Sequence, residues 1–348
     1  MKKRQLAALG LLCSLLTGCG AQQASSQFFA MNTIMQVAAE GPDAKKAVEG
    51  AEQDINRLDK LLSRTRTDSE IYTLNHANGA WTTVSYETYG LIQQAKDIAV
   101  LTDGAYDPTV APLTDLWGIG TDNAHVPAQT EIDAALAHVD YHSIELAPGA
   151  DAEKGGRVRL VNGAELDLGG IAKGYAGACA ITPEDTDTAL LSLGGNVSAF
   201  SKDGNTKPYK IGVADPDSPA EYLATVLLTN GCVVTTGDYE RYFEQDGVRY
   251  HHVFDPRTGY PAQTDLRSAT VVQPYEDGAR ADGLSTALFV MGLQKALDFC
   301  DKNAVPAIFI TRDKRVILSE PMKKPQQDGL YYAFGEFVGA DKGYTYAG

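Results

Sequence analysis

The sequence has 348 residues, of which 44% are hydrophobic and 22% are charged, and its formal net charge is −15 at pH 7. This composition is typical of a globular protein with ample material for a buried core, and it excludes a disordered or fibrous chain. The excess of negative charge argues against binding to nucleic acid or to anionic lipid. An anionic ligand would therefore need local help from backbone N–H groups, a lysine or a cation.

The N-terminus predicts export and a lipid anchor. Three basic residues at 2–4 precede an apolar run over 6–16, which is too short to span a bilayer, since that takes about 20 apolar residues. Small residues then lead to Cys19 in a pattern that resembles the lipobox of bacterial lipoproteins. We expect a signal peptide over 1–18, lipidation of Cys19 that includes palmitate, and a polar tether over 19–28. The expected location is the extracytoplasmic face of the cell membrane; the alternative is a buried N-terminal helix with an incidental cysteine.

The body of the chain predicts an irregular mixture of helices and strands. Apolar residues recur at three- and four-residue steps over 43–62 and 86–102, which indicates two amphipathic helices. Further helices are expected near 130–138, 173–180, 281–290 and 293–302. Strands are expected at 158–161, 166–168, 189–193, 210–214, 225–228, 233–236, 270–272, 307–310 and 316–318. Their mostly hairpin-like spacing favours an α+β fold with a mixed, largely antiparallel sheet and packed helices.

Several familiar sites are absent from the sequence. It contains no phosphate-binding G-x-x-x-x-G-K-[ST] loop, no H-E-x-x-H zinc motif and no G-x-S-x-G nucleophile motif. Past Cys19, the cysteines Cys179, Cys232 and Cys300 are far apart and odd in number. They predict buried free thiols rather than a zinc site or a disulfide framework.

The first motif that could carry chemistry is Asp-Leu-Gly-Gly-Ile-Ala-Lys-Gly-Tyr at 167–175. It predicts a strand end, a glycine pair and an opening helix. Glycines permit close backbone approach, and a helix N-terminus favours anions. Lys173 supplies a positive charge that could neutralise a phosphate. A plain strand–turn–helix unit with a surface lysine is the structural alternative.

The second motif is Ala-Asp-Gly-Leu-Ser-Thr-Ala at 281–287. Asp282 and Thr286 are four residues apart, so a helix would place both side chains on one face. A carboxylate and a hydroxyl together form an oxygen half-site suited to Mg²⁺. The alternative is a capping aspartate followed by a packing face of small residues.

Two turn motifs complete the candidates. His252 directly precedes a tight turn, Asp-Pro-Arg-Thr-Gly at 255–259, and a histidine there could act as acid or base near neutral pH. In Gly-Ala-Tyr-Asp-Pro-Thr at 104–109, an aromatic residue beside an aspartate could face a flat ring system. Both motifs also fit a purely structural role.

Together and in this order, these motifs resemble the ApbE family of FAD:protein FMN transferases, over about 31–318. The full set is Met-Asn-Thr at 31–33, Ser-Glu-Ile at 69–71 with Leu-Asn at 74–75, 104–109, Leu-Trp-Gly at 116–118, 167–174, Leu-Gly-Gly-Asn at 193–196, 252–259 and 281–287. The resemblance implies a single catalytic unit, related to the T-fold, over 29–340.

The resemblance also implies ligands for this chain. Mg²⁺ would be held by Asp282, Thr286 and the backbone carbonyl of Gly170. FAD, the substrate, would bind through Met31, Ala105, Tyr106, Asp107, Asp167, Lys173 and Val253. We further expect Gly194 and Gly195 to approach the nucleotide.

In the implied reaction, a Thr or Ser hydroxyl of a partner protein attacks the FMN-side phosphorus of FAD, and AMP leaves. Mg²⁺ and Lys173 would neutralise the growing charge. His252 is the candidate for orienting or deprotonating the hydroxyl, or for holding the pyrophosphate; with Asp282 and Lys173 it completes the predicted catalytic set. The expected acceptors are exported or membrane-bound flavoproteins, such as the FMN-carrying subunits of Rnf or Nqr complexes.

One departure from the family pattern concerns the helix after Lys173. The family usually carries an aspartate five residues past this lysine, where the present chain has Ala178, and the polar residues at 182–185 predict a shortened helix. This departure puts the support of Lys173 in doubt. Three alternatives stay open: an FAD pyrophosphatase in which water replaces the hydroxyl, a flavin-binding lipoprotein without chemistry, and a structural lipoprotein with no ligand.

Overall fold

The computed structural model describes residues 22–149, 155–181, 186–202, 207–325 and 331–348, so the predicted signal peptide and Cys19 lie outside the described residues. The helices in these ranges are α1 (Ala44–Leu62), α2 (Glu70–Asn75), α3 (Tyr86–Leu101), α4 (Ala111–Trp117), α5 (Gln129–Leu136), α6 (Ala172–Cys179), α7 (Gly278–Met291) and α8 (Leu293–Asn303). The strands are β1 (Gln23–Ala30), β2 (Thr33–Glu40), β3 (Thr82–Val84), β4 (Ile144–Pro148), β5 (Gly156–Leu160), β6 (Thr188–Leu193), β7 (Asn196–Ser201), β8 (Tyr209–Asp215), β9 (Ser218–Leu228), β10 (Gly231–Gly237), β11 (Tyr242–Gln245), β12 (Val248–His251), β13 (Leu266–Gln273), β14 (Ala307–Thr311), β15 (Arg315–Leu318), β16 (Tyr332–Phe337) and β17 (Thr345–Ala347).

A nine-stranded sheet with the order β1-β2-β6-β7-β10-β13-β14-β15-β17 runs through the molecule. Its neighbouring strands are antiparallel, except that β17 runs parallel to β15. Smaller sheets are formed by β3, β5 and β4, by β16, β9 and β8, and by the hairpin of β11 and β12. The predicted α+β fold with a largely antiparallel sheet is confirmed.

Helix α7 occupies the centre of the helical layer, where it packs against β10 and β13 of the large sheet and against α6 and α3. Eleven of its 14 residues are buried, which places Asp282 and Ser285 in the interior. A buried carboxylate is costly unless it is paired or binds a cation. The position of α7 therefore makes Asp282 a candidate for function. Among the described residues, none of the helices combines the length and apolarity that crossing a bilayer requires.

The ends of the folded region differ from the predicted 29–340. Strand β1 begins at Gln23 and pairs with β2 along its whole length, so most of the predicted tether belongs to the sheet. At the other end, β17 continues the sheet to Ala347. Strand β1 escaped prediction because its exposed face carries polar residues and its apolar residues come late.

Two smaller expectations were wrong. The predicted strand at 166–168 is an extended segment outside any sheet, because the side chain of Asn75 bonds both the N–H and the carbonyl of Leu166. Cys232 and Cys300 are buried free thiols as expected, but the free thiol of Cys179 is exposed. The predicted helix at 173–180 is α6, while the polar residues at 182–185 lie outside the described residues.

Candidate functional site

The site is built around a direct contact between the backbones of α6 and α7. A Cβ atom placed on Gly174 would lie 2.6 Å from the carbonyl carbon of Gly278, and closer still to its oxygen. Only glycine allows such an approach. As a result, the Gly174 N–H donates a 2.9 Å hydrogen bond to Oδ2 of Asp282, and Nζ of Lys173 lies 3.6 Å from the same oxygen.

The three predicted magnesium ligands lie in this contact region. Asp282 is 3% exposed, and no donor among the described residues reaches its Oδ1. One helical turn on, Thr286 Oγ1 lies 3.5 Å from a Cβ placed on Gly170 and 3.3 Å from the hydroxyl of Thr236. Carboxylate, hydroxyl and carbonyl oxygens fit Mg²⁺, which typically keeps waters and substrate phosphates as further ligands. Among the described residues, no group of three or more His, Cys, Asp or Glu is suited to a metal.

The glycine turn before α6 is fixed by the carboxylate of Asp167. Its Oδ1 accepts from the N–H of Gly169 at 2.9 Å, and its Oδ2 accepts from Thr114 Oγ1 at 3.2 Å. The guanidinium of Arg64 lies 3.2 Å from Oδ2. Nζ of Lys173 donates to the carbonyl of Gly169 at 3.1 Å and so closes the turn. The same Nζ also faces the carboxylate of Asp282.

Tyr106 and Asp107, predicted to bind FAD, have different surroundings. The Tyr106 ring packs on Gly170, and its buried hydroxyl has no partner among the described residues. Burial, together with the nearby carboxylates, raises the pKa of Tyr106, so the hydroxyl stays protonated and can donate. Asp107 instead accepts from Thr109 and from the backbone N–H of Tyr141. The carboxylate of Asp107 therefore holds the turn that buries Ala105 and Tyr106.

Two hairpin turns meet at one end of the large sheet. Met31 and Asn32 turn between β1 and β2 with φ of 47° and 60°, a left-handed conformation that suits two-residue hairpins. The glycines at 194–195 turn between β6 and β7, also with positive φ. Because β2 pairs with β6, the turns are adjacent, and a Cβ on Gly194 would lie 2.7 Å from Thr33 Oγ1. The fold thus brings together the turns that contain Met31, Gly194 and Gly195, three of the residues predicted to bind FAD.

The side chains of His251 and His252 differ in their hydrogen bonds. His251 is fully buried, with Nε2 2.9 Å from the carbonyl of Ala262, and its Nδ1 accepts from the N–H of Val253 at 3.3 Å. It therefore shapes the segment that contains Val253. Nδ1 of His252 is buried without a partner among the described residues. Burial, helped by the charges of Arg241 and Lys173, lowers the pKa of His252, so its imidazole is neutral at physiological pH.

Sequence reasoning missed the contacts made by the end of β10 and by the segment that follows it. Thr236 bonds the hydroxyls of Ser285 and Thr286. A Cβ on Gly195 would lie 3.2 Å from Oε1 of Glu240. The only available signal was a run of polar and charged residues at a strand end.

The fold and the site define an α+β protein in which a buried carboxylate, a hydroxyl and a lysine lie together at the contact of two helices. The ApbE family model matches residues 31–309, and the chain belongs to the ApbE family.

Relatives and solved structures agree with this assignment. The chain is 34% identical to the FAD:protein FMN transferase of Treponema pallidum over 334 residues. This alignment covers 88% of the present chain and 92% of the relative. It is 37% identical to an FAD:protein FMN transferase of Klebsiella pneumoniae, over 78% of this chain and 84% of the relative. The ApbE protein from Thermotoga maritima superposes with a TM-score of 0.79 at 36% identity, covering 87% and 98% of the two chains. The apo form of the Pseudomonas stutzeri flavinyl transferase ApbE gives 0.71 at 27% identity, covering 92% and 96%.

Proposed function

We propose that this protein is an enzyme that transfers FMN from FAD to a hydroxyl of a partner protein; the names of its relatives support the transfer of FMN from FAD to a protein. The observation that carries the proposal is the approach of Lys173, Asp282 and Thr286 at the contact of α6 and α7. This arrangement places a positive charge beside a group of oxygen atoms that suit a cation. A cation there, together with the lysine, would suit the pyrophosphate of a dinucleotide better than a neutral ligand.

Asp282, Thr286 and the carbonyl of Gly170 would hold Mg²⁺. When bound, the ion neutralises negative charge on the phosphates. Lys173 adds a second positive charge from the first turn of α6, where backbone N–H groups also favour an anion. The hydroxyl of Tyr106, which has no partner among the described residues, is a donor inside the same region.

His252 acts on the acceptor hydroxyl. Because its imidazole is neutral, an unprotonated ring nitrogen can accept the hydrogen bond of a Thr or Ser hydroxyl and then its proton. The hydroxyl oxygen forms a bond to the FMN-side phosphorus, the bond from that phosphorus to the bridging oxygen breaks, and AMP leaves with the electron pair. The lysine and the imidazole then contribute to one in-line displacement, and a metal held by Asp282, Thr286 and Gly170 would supply further positive charge.

The proposed setting is the extracytoplasmic face of the membrane, with Cys19 as the lipid anchor. The support is the N-terminal pattern of basic, apolar and small residues. The proposed acceptors are exported or membrane-bound flavoproteins, including FMN-binding subunits of the Rnf or Nqr type.

The test uses the protein from Gln22 onward with FAD, Mg²⁺ and a flavin-acceptor domain, followed by intact mass. We expect the acceptor to gain the mass of one FMN, only with Mg²⁺, and Asp282→Ala to abolish the gain. Asp298→Ala, at an exposed position of α8, is the control for loss of a carboxylate and should transfer normally.

The other outcomes are equally informative. Free FMN and AMP without an adduct would replace the transferase by a pyrophosphatase. Tight binding of FAD with neither product would leave a flavin-binding protein. Full activity of Asp282→Ala would overturn the metal assignment.

A further inference from the structure

Arg241 stands out among the arginines around the hairpin of β11 and β12. Its side chain is exposed and makes no hydrogen bond or ion pair with any described residue. The neighbouring arginines each have a carboxylate partner: Arg249 with Glu244, Arg257 with Asp255, Arg267 with Asp217 and Asp238, and Arg312 with Asp238. In a chain with a net charge of −15, an exposed arginine without a partner among the described residues is available for an anionic ligand.

The hairpin register places Arg241 beside His252. Tyr242 pairs with His251, so Arg241 lies opposite His252, and the His252 N–H donates to the Arg241 carbonyl at 3.0 Å. Residues opposite each other in an antiparallel ladder project to the same face. The positive charge of Arg241 also contributes to the lowered pKa of His252. The side chains of Arg241 and His252 therefore lie on the same face and in the same region of the site.

The surroundings of Arg241 hold its backbone and leave its guanidinium free. Three residues earlier, the fully buried Asp238 accepts from Nε of Arg267 at 2.9 and 3.0 Å, which fixes the start of the segment. The next carboxylate, Glu240, approaches Gly195 in the turn between β6 and β7. The aliphatic part of the Arg241 side chain instead lies near Gly120, because its Cδ is 3.4 Å from a Cβ placed on that glycine.

We propose that Arg241 is a substrate-binding residue that holds the pyrophosphate of FAD next to His252. A guanidinium presents paired N–H donors that match two phosphate oxygens, which a lysine cannot do with the same geometry. Lys173 and Arg241 then act on the pyrophosphate from two separate elements, α6 and the segment before β11. The inference deepens the proposed function, because it takes FAD as the ligand.

The experiment compares a ligand with phosphates to one without. Dissociation constants for FAD and for riboflavin are measured by flavin fluorescence, with Mg²⁺ present, for the wild type, Arg241→Ala and Arg241→Lys. We expect Arg241→Ala to bind FAD about 10- to 100-fold more weakly, the range for a charge-assisted hydrogen-bonding pair, and to bind riboflavin as the wild type does. Arg241→Lys should recover only part of the loss. ADP carries the phosphates without the flavin, so the affinity of each variant for ADP should fall in parallel with its affinity for FAD.

Arg157→Ala is the matched control, since Arg157 is an exposed arginine on β5, stacked on Trp81 and far along the chain from the hairpin. It should leave the affinity for FAD unchanged. Unchanged affinity of Arg241→Ala for FAD would overturn the proposal, and so would an equal loss for FAD and riboflavin, which would indicate a structural role. If the wild type binds FAD but makes no FMN adduct, the transferase proposal fails while this comparison still decides the role of Arg241.

Discussion

Replacing Gly174 by alanine tests whether the backbone contact of α6 and α7 organises the site. A Cβ on Gly174 would lie 2.6 Å from the carbonyl carbon of Gly278 and 2.8 Å from Cβ of Asp282. Ordinary contacts of this kind begin at 3.4 Å, and the Gly278 oxygen is closer still than its carbonyl carbon, so α6 would have to move by more than about 1 Å. The atoms in the way are mainly backbone and cannot rotate aside.

The stability change follows from two opposing effects. Overpacking of a well-packed interior costs about 1–3 kcal/mol, with rigid neighbours near the upper end. Alanine in place of glycine in a helix returns at most about 1 kcal/mol. We therefore expect Gly174→Ala to lower the free energy of unfolding by about 2 kcal/mol. FMN transfer should fall further than stability alone explains, because Lys173 moves with α6 away from Asp282.

Gly90→Ala supplies the control, since a Cβ on this α3 glycine meets nothing within 4 Å. The same substitution there should raise the free energy of unfolding by about 0.5–1 kcal/mol. Urea unfolding measures both variants, and unchanged m-values would show that the unfolded states are comparable. If Gly174→Ala proved as stable and as active as Gly90→Ala, the role assigned to the helix contact would be wrong.

Three further predictions concern other parts of the chain. Burial lowers the pKa of His251 from 6.5 to about 4, so its contribution to stability is complete above pH 6.5 and is lost as the pH falls towards 4. Urea unfolding against pH should therefore show a loss of about 3 kcal/mol that His251→Gln removes, and parallel pH profiles would contradict it. Asp238→Asn removes the fully buried carboxylate that Arg267 and Arg312 share; because Arg267 keeps its pair with Asp217 and Arg312 is partly exposed, we expect the free energy of unfolding to fall by about 1–3 kcal/mol, and an unchanged value in urea would rule this out. Cys19→Ala should release an active protein from the membrane fraction, and continued membrane retention would refute the anchor.

The helices were more predictable from sequence than the strands. Helices α1 and α3 lie within a residue of the predicted bounds, because their apolar residues follow the 3.6-residue repeat and one face is buried. Strand β1 has its first seven residues at least partly exposed, so no alternating apolar pattern marks it. The short strand β17 is entirely exposed and depends on pairing with β15. Such strands are defined by their partners rather than by local residues.

The candidate site also contains some residues that local sequence patterns reveal and others that only the fold brings together. Asp282 and Thr286 could be paired from sequence because a helical turn separates them. The contact of Arg64 with Asp167 joins residues about a hundred positions apart, and the approach of Glu240 to Gly195 depends on the strand order of the large sheet. Local sequence patterns do not predict contacts between residues that are so far apart along the chain. Motifs therefore identified most of the candidate ligands, while their supporting residues required the fold.

The departure at Ala178 has a physical explanation in this packing. Cβ of Ala178 lies 3.4 Å from a Cβ placed on Gly278, at the first turn of α7. That end of α7 already carries Glu276 and Asp277, and burial together with the charge of Glu276 raises the pKa of Asp277. A third carboxylate at 178 would add repulsion and would press on the place where the two helices approach each other. In this chain the support of Lys173 therefore comes from the backbone: Gly174 contacts Gly278 and donates its N–H to Asp282, so the alanine is compatible with an intact site.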